Sequence, residues 1–195
     1  MIVGLAGKSC SGKDTLAAFF TERGFVLVDA DRIGHQALEA KRAAVLERFG
    51  TVERSVLGRL VFADTRALGD LEANTHPWIA SEIQRQVAQA KGDVVVNAAL
   101  LHRHELFRLC DLVVWVQAPL LTRILRARHR DRRPWCDILS RIWAQRKLGT
   151  QVFPADVDIL KVDNRGSPLA ARRTLEAWFG RLPSFPKKED THEKQ

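Results

Sequence analysis

Apolar positions along this chain come in short solid blocks separated by longer periodic stretches. "IVGLA", Ile2 to Ala6, is apolar on both faces and runs into a glycine, and "FVLV", Phe25 to Val28, closes in Asp29. Val94 to Val96, "LVVWV" (Leu112 to Val116) and a weaker run from Ile159 to Val162 before "DNRG" repeat the form. Blocks this short, rich in valine and bounded by Gly or Asp, read as strands buried on both faces. Helical spacing of apolar residues predicts helices over Lys13 to Arg23, Arg32 to Phe49, Ser55 to Phe62, Ile79 to Ala90, Leu120 to Arg130 and Ile138 to Leu148. Strands and helices in alternation predict an α/β fold, a five-stranded parallel sheet flanked by helices, with ligands bound beyond the carboxyl ends of the strands.

Composition sets the frame for that pattern. The 195 residues suit one domain, expected over 1–182, and the segment "RLPSFPKKEDTHEKQ" after Trp178-Phe179-Gly180 has little to bury and reads as a disordered tail over 183–195. With 46% hydrophobic and 28% charged residues, and no apolar run of membrane-spanning length, a soluble protein is expected. Met1 opens straight onto a strand without a secretory leader, which predicts a cytoplasmic location. Cys10, Cys110 and Cys136 are odd in number and far apart, suiting neither a disulfide framework nor a zinc cage.

The net charge of +8 changes the picture because its excess is local. Arg123, Arg126, Arg128, Arg130, Arg132 and Arg133 crowd into eleven residues with few acids among them, so a polyanion or a compact phosphate ligand is expected nearby. Nucleic acid is one candidate. The chain nevertheless has no tyrosine, few aromatics beside the arginines, and no recognised RNA- or DNA-binding pattern.

Candidate chemistry starts with "GLAGKSCSGKDTL". The loop from Gly7 to Gly12, Cys10 and Ser11 included, follows a strand and opens a helix, where backbone amides converge on phosphate oxygens. Gly7 allows a tight exit from the strand, Gly12 clears the approach to the phosphate, and Lys13 reaches the β and γ phosphates of ATP. Asp14 stands where a hydroxyl residue is usual. Its carboxylate suits Mg2+, with the Thr15 hydroxyl beside it, and suits equally the cap of the first helical turn. In "VDADRIGH", Asp29 and Asp31 follow the second strand and His35 lies on the helix they enter. If one strand separates the first from the second, this edge is roughly 10 Å from the loop, a distance at which Asp31 could hold an acceptor hydroxyl and take its proton. Either aspartate also fits a helix N-cap.

The loop, "DADRIGH", "RSVLGRLVFAD" with "LEANTHPWI", and "ADVDILKVDNRG", in this order over most of residues 2 to 166, resemble the dephospho-CoA kinase family. The resemblance implies a P-loop kinase of the nucleoside monophosphate kinase type, with substrate-binding helices over about 32–92 and an arginine-bearing lid over about 123–140. It implies transfer of the γ-phosphoryl group from ATP, with Mg2+, to the ribose 3′-hydroxyl of dephospho-CoA. Asp31 would match the proposed general base, His35, His76 and Pro77 the acceptor side, Arg126 and Arg130 the lid arginines that fold onto the phosphates, and Asn164 and Gly166 the turn that holds adenine. Small molecules are then the expected partners, with no nucleic acid and no membrane. Ala99 and His102 depart from the proline and acid usual after the third strand, and "GKDT" is shared with some deoxynucleoside monophosphate kinases, the alternative reading within the same fold.

Overall fold

The computed structural model describes residues 1–131 and 135–181, without the side chains of Phe62, Ala63, His104, Arg130, Asp131, Cys136, Asp137, Arg141 and Pro168. Of the sequence expectations, the centre of the lid, the side chain of Arg130 and the tail over 183–195 therefore lie outside the described residues. Five strands form one sheet: β1 (Ile2–Ala6), β2 (Val26–Asp29), β3 (Val94–Asn97), β4 (Leu112–Gln117) and β5 (Ile159–Asp163). Their order is β2-β3-β1-β4-β5. The pairing is parallel, with Leu5 opposite Asn97 on one side and Val114 on the other, and Gln117 opposite Asp163. β1 is central, so the loop after it leaves the middle of the sheet, and one strand separates it from β2.

The helices are α1 (Lys13–Thr21), α2 (Ala30–Ala40), α3 (Arg42–Phe49), α4 (Arg54–Ala63), α5 (Thr65–Gln89), α6 (Leu120–Asp131), α7 (Trp135–Ala144) and α8 (Pro168–Phe179). By contact density the chain divides into two units, Met1–Val28 with Ala90–Gln195, and Asp29–Gln89. In the first, Val3, Leu5, Val114, Val116 and Val162 on one sheet face meet Leu16, Phe19 and Phe20 of α1 and Leu175 and Phe179 of α8. The rings of Phe19, Phe25 and Phe179 stand edge-on around Phe20 at 5.2–5.4 Å, each burial stabilising by roughly 1.5–3 kcal/mol. Trp115, on the opposite face, packs edge-on against Phe153. The second unit is helical, with Val45, Leu57 and Val61 buried against Leu38, Phe49, Leu68 and Leu71.

Three elements differ from the periodicity reading. The stretch expected as one helix from Arg32 to Phe49 is broken at Lys41, whose φ of −106° and ψ of 17° end α2 and start α3. α5 begins fourteen residues before the expected Ile79 and carries Pro77 in its interior. Proline lacks the N–H and crowds the preceding turn, which is why the sequence suggests a boundary there. α8 was not expected at all; the Ser167 side chain caps it by accepting from Leu169 N at 3.1 Å.

Candidate active site

The loop between β1 and α1 combines three left-handed or otherwise positive backbone angles. Gly7 has φ +149°, Gly12 has φ +96°, and Cys10, which carries a side chain, has φ +59°. Alternating such residues with ordinary ones turns successive N–H groups inward, the concave arrangement that takes an anion. Glycine is required twice over at position 12: a Cβ there would lie 2.1 Å from Asn164 Nδ2. At position 7 it would lie 2.3 Å from the Val116 carbonyl oxygen and 2.9 Å from Ser11 Oγ. Ser11 is fully buried and its Oγ has no partner among the described residues, so a hydroxyl inside the loop is left for a ligand. Lys13 opens α1 with only 8% of its surface exposed.

Residues distant in sequence hold this loop in place. Asn164, buried after β5, donates from Nδ2 to the Ser11 carbonyl at 2.8 Å, and its own N–H reaches the Gln117 carbonyl at 2.8 Å. Arg126 of α6 donates to the same Ser11 carbonyl at 3.1 Å and to the carbonyls of Asn164 (3.1 Å) and Gly166 (3.2 Å). Its planar fork thus ties the loop to the "DNRG" turn, a task suited to several fixed donors. Arg123 Nε donates to the Ser9 carbonyl at 2.9 Å, and Gln145, in the turn just after α7, accepts from Ser9 N at 2.6 Å. A loop held by side chains from α6, the turn after α7 and the turn after β5 is preorganised before any ligand arrives.

Asp14 and Thr15 are exposed in the first turn of α1. The Asp14 carboxylate accepts from Asn97 Nδ2 at 3.0 Å, so it is oriented by the residue that ends β3, while the buried Asn97 Oδ1 has no partner among the described residues. Both are hard oxygen donors of the kind Mg2+ takes, and no group of three or more His, Cys, Asp or Glu side chains among the described residues could cage a metal by itself. That is a fit for an ion whose remaining ligands are phosphate oxygens and water.

Within the helical unit, Asp29 is the N-cap of α2: its carboxylate accepts from Asp31 N at 2.9 Å and Arg32 N at 3.1 Å. The Asp31 side chain is exposed in the first helical turn. His35 Nε2 lies 2.6 Å from Arg54 Nη2 of α4. His76 and Pro77 sit inside α5, Pro77 exposed. His102 is half-buried with its ring edge-on to Phe153 at 6.3 Å; burial, and then Arg103, hold its pKa below the ordinary value.

Of the residues singled out from sequence, Gly7, Cys10, Ser11, Gly12, Lys13, Asp14, Thr15, Arg126, Asn164 and Gly166 belong to the first unit, and Asp31, His35, His76 and Pro77 to the second. Sequence reasoning gave no role to Asn97 or Gln145, and read Arg123 only as part of the basic run. Asn97 carried a signal, a polar residue closing the otherwise apolar "VVVN" at the carboxyl end of a strand. Gln145 carried none.

Comparison with known proteins agrees with this geometry. A family model described as dephospho-CoA kinase matches residues 1–167. A dephospho-CoA kinase of Treponema denticola is 29% identical over 194 residues, 90% of this chain and 87% of the relative. One from Symbiobacterium thermophilum is 36% identical, over 90% of this chain and 79% of the relative. Among solved structures, a Thermus thermophilus protein superposes with a TM-score of 0.76 at 26% identity, over 93% of this chain and 97% of that one. A deoxyadenosine kinase from M. mycoides, at 12% identity and a TM-score of 0.57 over 92% of this chain and all of that one, shares the fold.

Proposed function

The chain belongs to the dephospho-CoA kinase family, and on that premise we propose how its own residues carry the transfer of the ATP γ-phosphoryl group to the ribose 3′-hydroxyl of dephospho-CoA. The products are coenzyme A and ADP. The observation that carries the assignment is the loop itself, a strand–turn–helix amide cradle braced by Arg126 and Asn164 with Lys13 buried at its exit.

The amides of Gly7 to Gly12 hold the β and γ phosphates at the amino end of α1, and Lys13 neutralises charge that spreads over the transferring group. Partial burial of Lys13 strengthens this electrostatic stabilisation, because less water competes for the ammonium. Asp31 takes the proton of the acceptor hydroxyl as its oxygen bonds to the γ-phosphorus and the bond to ADP breaks. Support comes from α2: Asp29 already caps the helix, which leaves the exposed Asp31 carboxylate without that duty. His35, His76 and Pro77 are proposed on the acceptor side, Arg130 as the lid arginine on the phosphates, and Asn164 with Gly166 beside adenine. Asp14 and Thr15 would hold Mg2+, which supplies charge neutralisation on the phosphate oxygens. The cytoplasm is the proposed location; no helix among the described residues is long and apolar enough to cross a membrane.

A panel offering dephospho-CoA beside dAMP, dGMP, dTMP and dCMP, with ATP and Mg2+, tests the assignment. Turnover of dephospho-CoA is expected; turnover confined to a monophosphate would replace it with the alternative of the same fold. Lys13→Ala is expected to abolish transfer. Asp31→Asn is expected to lower kcat by two orders of magnitude or more while ATP affinity stays nearly unchanged, and full activity in that variant would remove Asp31 as the base.

A further inference from the structure

Beside the loop lies a cavity of about 660 Å3 that the reaction above does not use. Of the loop residues only Lys8 lines it, so it is separate from the amide cradle. Its volume falls in the range of small-molecule sites, roughly 300–1,000 Å3. Among the described residues four cations face it, Lys8, Arg123, Arg146 and Lys161, and no carboxylate lines it.

Arg123 makes this more than a basic surface. It is 4% exposed, and while Nε is bound to the Ser9 carbonyl, Nη2 has no partner among the described residues. A buried guanidinium N–H without an acceptor is a costly vacancy in hydrogen bonding that an anion would fill. Lys8, whose Nζ donates to the Arg146 carbonyl at 3.1 Å, has its pKa held below the ordinary lysine value by burial and then by Arg123. Apolar wall is present as well: Trp115 and Trp143 contribute indoles, the latter with Arg146 stacked 4.4 Å from its centroid. Gln117, Thr150 and Gln151 add neutral hydrogen-bonding groups.

We propose that this cavity is a second anion site, one that binds a phosphate ester carrying an apolar or amide-bearing body, with the phosphate on Lys8 and Arg123 and the body against the two indoles. Two sources share that chemistry, the diphosphate and amide arm of the acceptor itself and a separate small phosphate ester.

The test is direct binding of 4′-phosphopantetheine, a phosphate on an amide chain without a base, by calorimetry and tryptophan fluorescence. ADP and Mg2+ are present throughout to fill the nucleotide loop. Binding is expected for the wild type, at least tenfold weaker for Arg146→Glu/Lys161→Glu, and undetectable for unphosphorylated pantetheine, with ADP affinity equal in both proteins. Absence of binding at millimolar probe, or equal binding by wild type and variant, would overturn the proposal. Should the double variant fail to retain ADP, Lys161→Gln alone is read by the same criterion with a smaller expected loss. Competition by dephospho-CoA assigns the site to the acceptor arm, and simultaneous binding assigns it to a separate ester. The readout is binding, so failure of Asp31 as the base leaves it untouched.

Discussion

At Gly12 conformation and crowding act on one atom position. A side chain there meets both a φ of +96° and the Asn164 amide at 2.1 Å, so Gly12→Ala must displace the brace that fixes the loop. A loss of roughly 1–3 kcal/mol of stability is expected, together with a clear weakening of ADP binding, measured by denaturation and calorimetry on the same protein. Asn97→Ala is expected to raise the Mg2+ concentration needed for half-maximal activity several-fold, since it removes the hydrogen bond by which Asn97 orients the Asp14 carboxylate. Asp14→Ser is expected to keep or improve magnesium use, and a collapse instead would make the carboxylate a dedicated ligand. Cys110 gives a pH dependence. Burial, with Asp111 beside it, pushes its thiol from 9.0 up to about 12, so between those values the unfolded chain releases a proton that the folded chain keeps. Stability therefore falls as pH rises from 9, by up to about 1.4 kcal/mol per pH unit. Urea titrations at pH 8 and pH 10 are expected to show that fall in the wild type and a smaller one in Cys110→Ala.

Among the elements, α5 shows best what local signals miss. Pro77 argued for a boundary, yet the helix runs through it, with Thr75 and Asn74 side chains bonding back to the carbonyls of Leu71 and Asp70 one turn earlier. The apolar residues that justify continuing, Ala67, Leu68 and Leu71, pack on a cluster built by α3 and α4, which no window along one helix contains. Pro77→Ala restores an N–H and is expected to raise stability by about 1–3 kcal/mol in urea denaturation. From the proposed acceptor role, the same variant is expected to raise KM for dephospho-CoA and leave that for ATP unchanged in steady-state assays. The break at Lys41 has the opposite character. "EAKRAAV" contains neither glycine nor proline, so nothing local interrupts the helix. α8 escaped notice because its apolar contribution, Leu175 and Phe179, makes sense only against α1 and the sheet.

For the molecule as a whole, strand order converts a list of motifs into a layout. β3 lies between β1 and β2, so one strand separates the first from the second, the condition on which the expectation for Asp31 rests. The arginine run also changes meaning in three dimensions. Arg126 spends its donors on the Ser11 carbonyl and the "DNRG" turn and Arg123 its Nε on the Ser9 carbonyl, structural contacts that give two of the run's cations a place without nucleic acid. Binding of random duplex or single-stranded DNA is accordingly expected to be weak and lost by 200 mM salt. By itself the sequence determined the strands, the parallel α/β class and the phosphate loop, because each rests on short-range chemistry: solid apolar blocks, glycines at turns, a lysine at a helix start. Only the tertiary structure decided that Asn97 orients Asp14, that Asn164 and Arg126 brace Ser11, and that four cations share one cavity. Those are meetings of residues up to 153 positions apart, and a chain's spacing holds no record of which distant side chains packing will bring together.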